Sequence, residues 1–154
     1  MGIALTVQEY LEDNHIRYDL ARHGKTSTST MSARASHVPG AAMAKGVVLK
    51  WDDGYLLAIV PASRYVDLSK VSAIVGDSVR LATEEEASTL FPDCDTGAVP
   101  ILGEPYRVAC VVDEQLEKHG DIWFEAGDHR TLVHVTSDGF GRLMYGMPHG
   151  RISS

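Results

Sequence analysis

The chain has 154 residues, 44% of them hydrophobic and 23% charged, which fits one globular domain and excludes a disordered or collagen-like polymer. Its 14 Lys and Arg against 21 Asp and Glu give a formal net charge of −7 with histidines neutral, so any nucleic-acid contact must be local. The longest apolar runs, such as Tyr55 to Val60, fall far short of the roughly 20 residues that span a bilayer, and Glu9, Glu12 and Asp13 interrupt any leader-like opening, so a cytoplasmic protein with no membrane partner is expected.

In chain order, Thr6-Val-Gln-Glu9 reads as a capping box that starts a helix to about Asn14. Ile16, Tyr18 and Leu20 alternate with polar residues as in a half-buried strand. A polar loop, Ser27 to Thr30, precedes a short helix from Met31 to His37 that Pro39-Gly40 closes. Ala44 to Trp51 and Tyr55 to Pro61 are Val-, Leu- and Ile-rich runs around Asp52-Asp53-Gly54, the clearest hairpin in the chain. Asp67 caps a helix through Val75, Val79 to Leu81 is a short strand, and Thr83 to Glu86 is a second capping box for a helix to Leu90. A Gly/Pro loop from Pro92 to Pro105 leads to strands over Tyr106 to Val112, Asp121 to Glu125 and Arg130 to Thr136, then a helix from Ser137 to Met144. Helices interleaved with hairpin-linked strands imply a single-domain α+β fold on a mixed sheet, with residues 1–145 as the domain and 146–154 as a C-terminal tail. That tail reads either as disordered or as a strap against the core.

Charge is uneven. Between residues 14 and 50 six basic residues face the single acid Asp19, a local balance of +5, whereas residues 80–154 carry 13 acids against six bases. A solvated face and a small phosphate-binding surface both fit this asymmetry. Lys45 lies in an apolar run and shares a strand face with Val47 and Leu49; it is either functional or a strand-end lysine that snorkels to water. Gly46 beside it leaves room for a ligand or another backbone. The loop Thr96 to Gly103 is either an amide cradle for an anion or a structural turn, and His129 is either a ligand or acid/base group or merely exposed. Sequence motifs for a serine-hydrolase elbow, a zinc protease or a dinucleotide fold are absent, and His129 and His134 would face opposite ways on a strand, so neither a cofactor nor a metal is expected. Cys94, between Asp93 and Asp95, is read as structural, and both it and Cys110 as reduced thiols.

Taken in order, Met43-Ala-Lys45-Gly-Val-Val-Leu49, the loop Gly97-Ala-Val-Pro-Ile-Leu-Gly103 and Glu125-Ala-Gly-Asp-His129 make the chain resemble the YbaK/ProX family of aminoacyl-tRNA deacylases, relatives of the editing domain of bacterial prolyl-tRNA synthetases. The resemblance covers about residues 5–145. It implies a strongly bent central sheet with flanking helices and hydrolysis of the ester that joins a wrong, small amino acid to the tRNA 3′ end. It implies that Lys45 contacts the aminoacyl-adenosine end, that amides at Gly97 and Ala98 bind the ester carbonyl or substrate amine, and that Gly46, Val99, Pro100, Gly103 and His129 line the substrate. Ile101 stands where the family pattern has proline. Backbone amides and an ammonium can stabilise an oxyanion without a covalent nucleophile, so a missing triad is no objection. The partners expected are the tRNA acceptor end, held by Arg22, Lys25 and Arg34, and an aminoacyl-tRNA synthetase. The rival reading is a non-catalytic module of the same fold that recognises an amino-acid-like ligand or docks on a synthetase.

Overall fold

Strands β2 (Met43–Trp51) and β3 (Gly54–Pro61) form the central hairpin, paired antiparallel from Ala44–Pro61 to Trp51–Gly54. Gly54 takes φ +130° at the turn, a conformation that only glycine adopts without strain. This computed structural model describes residues 3–23, 38–52, 54–118 and 120–154. The expected helix from Met31 to His37 lies outside them.

Around the hairpin the other strands complete, among the described residues, an eight-stranded mixed sheet. They are β1 (Asp19–Arg22), β4 (Arg80–Leu81), β5 (Ala109–Asp113), β6 (Ile122–Glu125), β7 (Thr131–Val135) and β8 (His149–Gly150). The order is β1-β7-β6-β2-β3-β5-β8, with β4 pairing β2 off this path. Pairings β2–β6, β3–β5 and β5–β8 are parallel and the others antiparallel. Among the described residues four α-helices flank the sheet: α1 (Leu5–Asp13), α2 (Leu68–Val75), α3 (Glu84–Leu90) and α4 (Ser137–Leu143). The fold is thus the single-domain α+β arrangement expected from the interleaved pattern.

The caps explain most of the helix starts. Asp67 accepts from the Lys70 amide, Thr136 from Gly139, and Thr83 with Glu86 forms the expected reciprocal box. At α1 the expected Thr6–Glu9 box does not form. Ala4 occupies the cap position, pinned by its N–H to the Ala126 carbonyl at 2.8 Å, and the Thr6 amide donates instead to the Asp93 carboxylate at 3.2 Å. A tertiary carboxylate thus replaces the local cap. The first strand also starts later than its alternation suggests, because the Ile16 N–H closes α1 on the Leu11 carbonyl at 2.9 Å. Ahead of β5, residues Glu104–Tyr106 form a 3₁₀ turn and Arg107 adopts φ +60°, which moves the strand start from Tyr106 to Ala109.

One face of the sheet carries the main core, with Val48, Leu57, Ile59, Phe124 and Val133 against Leu11 of α1, Phe91, Ile101 and Phe140 of α4. The other face packs Leu49, Leu56, Ala58, Val60 and Val111 against Val71 of α2 and Ile152. Residues 146–154 follow the sheet as a strap: β8 pairs with Val112 and Asp113, Tyr65 and Ser154 exchange N–H···O bonds of 2.9 Å, and Ile152 is fully buried.

Candidate functional site

Strand β2 has different neighbours along one edge. It pairs with β6 only at Met43–Trp123 and Ala44–Phe124, and with β4 only at Leu49–Leu81 and Lys50–Arg80. Between them the sheet splits. Lys45 and Glu125 are the first residues past the last β2–β6 pair, so they mark the point where these strands part. The Ala42 carbonyl accepts from Trp123 and the Val48 carbonyl from Ala82, both at 3.0 Å, so the even-numbered residues of β2 turn their main chain to this edge. Gly46 lies midway, and its N–H and C=O face the split.

The split opens into a cleft of about 230 Å³. Gly46, Val47 and Val48 form one wall, Ala87 and Phe91 another, and Thr96, Gly97 and Val99 the mouth. A β-carbon at Gly46 would sit 2.8 Å from the Leu57 side chain and 3.0 Å from the Pro100 carbonyl, so the absence of a side chain lets the loop close on the strand. Alternation then sends Lys45 out on the opposite face of β2. Its ammonium, half-buried, lies 3.5 Å from the Ala62 carbonyl and 5.4 Å from the centre of the exposed Tyr65 ring. Burial pulls its pKa below the ordinary lysine value. Lys45 and the glycine loop therefore flank the split from its two sides without touching.

The loop has one pliable and one fixed end. Gly97 is exposed at φ +82°, and its amide makes no backbone hydrogen bond among the described residues. The next amide is committed: Ala98 is buried and donates to the Asp95 carbonyl at 3.0 Å, which corrects the expectation of two neighbouring donors for substrate. Gly103 is also placed differently from expectation. A β-carbon there would meet the Val108 carbonyl at 2.2 Å and Cys110 Sγ at 2.3 Å, so this glycine serves close packing below the loop and lies away from the cleft. Pro100 is buried behind Gly46, Val99 lines the mouth, and Ile101 is fully buried in the main core, where its side chain fills space.

Behind the mouth, His129 is 4% exposed and has φ +56°. Its Nε2 donates to the Thr96 carbonyl at 2.5 Å, and its Nδ1 lies 3.9 Å from the Glu125 carboxylate, itself 1% exposed. His129 thus backs the loop and does not line the cleft. Asp128 accepts from the amides of Arg130 and Thr131 at 2.9 and 2.8 Å and from the Thr131 hydroxyl at 3.0 Å, which builds the β6–β7 turn. The Cys94 thiol reaches the cleft, but burial, with Asp93 and Asp95 nearby, pushes its pKa up to about 12, so it is no nucleophile near neutrality. Among the described residues no cluster of three or more His, Cys, Asp or Glu is arranged to hold a metal ion.

Of the basic residues, Arg22 is exposed on β1 opposite Thr131, while Lys25 and Arg34 lie outside the described residues. Lys50 is used structurally, donating to the carbonyls of Trp51 and Gly54 at 2.8 and 3.3 Å. Sequence reasoning missed two parts of the site: the wall from Thr83 to Phe91, which carries no chemical signature, and Glu125, whose spacing of four from His129 across a Gly-Asp turn was the available signal.

The family model for the aminoacyl-tRNA editing domain matches residues 23–143. No curated protein matches. Among solved structures, one described as a "putative trans-editing enzyme for prolyl tRNA synthetase" is 26% identical and superposes with a TM-score of 0.83, covering 98% of this chain and 96% of that one. A hypothetical protein is 19% identical with a TM-score of 0.86 over 97% and 99% of the two chains. A chain from computational epitope grafting onto scaffold proteins is 24% identical with a TM-score of 0.83 over 98% and 97%. At these two lower identities the likeness is one of fold.

Proposed function

The chain belongs to the aminoacyl-tRNA editing domain family, and from that premise we propose that it is a hydrolase acting in trans on mischarged tRNA, cleaving the ester of a small amino acid from the 3′ end. The observation that carries this reading is the cleft at the split in the sheet. Its volume of about 230 Å³ lies below the ~300–1,000 Å³ typical of drug-sized ligands, which suits a small amino acid. The exposed Gly97 amide and the main chain of Gly46 border it, beside apolar walls and the polar residues Thr83, Glu84, Ser88 and Asp95.

In this reading the aminoacyl group enters the cleft, the Gly97 amide donates to the ester carbonyl as negative charge develops there, and Lys45 holds the adenosine end from the other side of β2. Water is the nucleophile, assisted by a ribose hydroxyl. A preorganised amide lowers the barrier without covalent chemistry, while the Lys45 ammonium orients the substrate. Arg22, Lys25 and Arg34 hold the acceptor-end phosphates.

The test is release of amino acid from Ala-, Ser-, Thr- and Cys-tRNA on several tRNA bodies by wild type and Lys45→Ala. One amino acid is expected to be released selectively, with kcat/KM roughly 100-fold lower in the variant. Full activity in Lys45→Ala removes the lysine from the mechanism, and no release by folded wild type turns the reading to a binding module. Three phosphate contacts further predict that log kcat/KM falls with log salt at a slope of about −2; a flat response leaves the basic residues without this role.

A further inference from the structure

Nothing in the mechanism above uses Glu125, yet a carboxylate 1% exposed at the end of a strand is costly unless it is paired. One group in ion-pair reach of it is His129, four residues on across the Gly127-Asp128 turn, with Nδ1 at 3.9 Å. The other ring nitrogen faces the Thr96 carbonyl at 2.5 Å. A carbonyl only accepts, so Nε2 carries a hydrogen. Nδ1 faces Glu125 at ion-pair distance, and the ring cannot turn without breaking the contact to Thr96. Thr96 immediately precedes Gly97, and across their trans peptide the Gly97 N–H points opposite to the Thr96 carbonyl, away from His129, at a residue that lines the cleft.

We propose that Glu125 is a positioning residue: through His129 it fixes the Thr96 carbonyl, and so the direction of the Gly97 peptide at the mouth of the cleft. The turn geometry supports this. Asp128 spends its carboxylate on Arg130 and Thr131, which sets His129 at φ +56° with its ring against the loop. The contacts run in series from Glu125 at the parting of β2 and β6, to His129, to the loop, and none of them is a substrate contact. Loss of either side chain frees the loop while leaving the cleft walls and Lys45 in place. The proposal rests on the deacylase reading for its kinetic consequence but not for its structural one.

The experiment therefore has two readouts. Hydrogen exchange at the Ala98 amide, which bonds to Asp95 within the same loop, is expected to accelerate at least about 10-fold in Glu125→Met and in His129→Ala, and Glu125→Gln, which keeps a polar partner for the ring, is expected to restore protection. In deacylation the same two variants lower kcat roughly 10- to 100-fold with KM within about twofold, as expected for a misaimed donor. The double variant is no worse than either single one, because the two residues act in one series. Unchanged exchange and kcat in a folded Glu125→Met overturns the proposal, as do additive losses or a loss confined to KM. If wild type releases no amino acid the deacylase reading fails, and exchange alone decides this proposal. If Glu125→Met does not fold, ¹⁵N-labelled His129 in Glu125→Asp, which draws the carboxylate back from the ring, decides it: Nε2–H exchange faster than in wild type is expected, and an unchanged rate overturns the proposal.

Discussion

Among the described residues two carboxylates are buried at strand ends in this sheet, Asp113 closing β5 and Glu125 closing β6. Asp113 accepts from the Gln115 amide at 2.8 Å, the Ile152 amide at 3.2 Å and the Ser153 hydroxyl. These are neutral donors, two of them on backbone, so its charge is held by groups that have no alternative state. Glu125 lies 3.9 Å from the His129 ring, whose other nitrogen bonds to the Thr96 carbonyl. One arrangement locks the C-terminal strap to the sheet. The other lies directly behind the mouth of the cleft, where its proposed role is to position the loop.

The largest effect should come from breaking the lock. Asp113→Ala strands the Ile152 and Gln115 amides and the Ser153 hydroxyl, and hydrogen bonds to a charged group are worth about 1.5–3 kcal/mol each. Urea unfolding is expected to show a loss of about 3 kcal/mol or more, with activity per folded molecule retained. Glu125→Gln, measured the same way, is expected to cost less than about 1 kcal/mol. Equal losses in the two variants would make the two carboxylates equivalent in stability.

The next effect is intermediate and local to the loop. Gly97→Ala places a β-carbon at φ +82°, which costs about 1–2 kcal/mol for an L-residue. The loop should relieve that strain by turning the Gly97 peptide, so the variant is expected to lose kcat while its melting temperature falls by only a few degrees. A stable, fully active Gly97→Ala would mean that the direction of this amide is irrelevant.

The central hairpin, the Asp67 cap and the Thr83–Glu86 box were legible in the sequence because each depends on neighbours within a few residues. The Thr6–Glu9 box was not, because Asp93 reaches the Thr6 amide from 87 residues away and the competing bond is tertiary. The site divides in the same way. Lys45, Gly46 and the glycine loop stood out as residue types in unusual company, but no sequence pattern states that β2 loses β6 after Ala44 and gains β4 only at Leu49. The cleft is a product of that register. Gly103 and Ala98 show the converse: a glycine loop looks like a row of donors until packing against Val108 and a bond to Asp95 remove two of its positions.

Cys94 supplies the smallest expected effect on activity and the sharpest chemical one. Its thiol borders the cleft, as a nucleophile would, and shares Asp93 with the Tyr106 hydroxyl, which donates to that carboxylate at 2.8 Å. A folded pKa of about 12 against an ordinary value of 9.0 keeps the thiolate fraction at pH 8 about 1,000-fold below that of a free cysteine. Native Cys94 should therefore resist iodoacetamide at pH 8 and react once the chain is unfolded. The sign for stability follows from the same shift. The unfolded chain releases this proton above pH 9 while the folded chain keeps it to about pH 12, so the contribution is complete below pH 9 and is lost as pH rises through that window. Cys94→Ala is expected to deacylate at nearly the wild-type rate, because in the proposed mechanism water attacks and the Gly97 amide is the donor, with the thiol as part of the wall. Rapid alkylation of the native protein together with an inactive Cys94→Ala would move the chemistry from the loop backbone to this side chain, and the contrast between Asp113 and Glu125 would then concern folding alone.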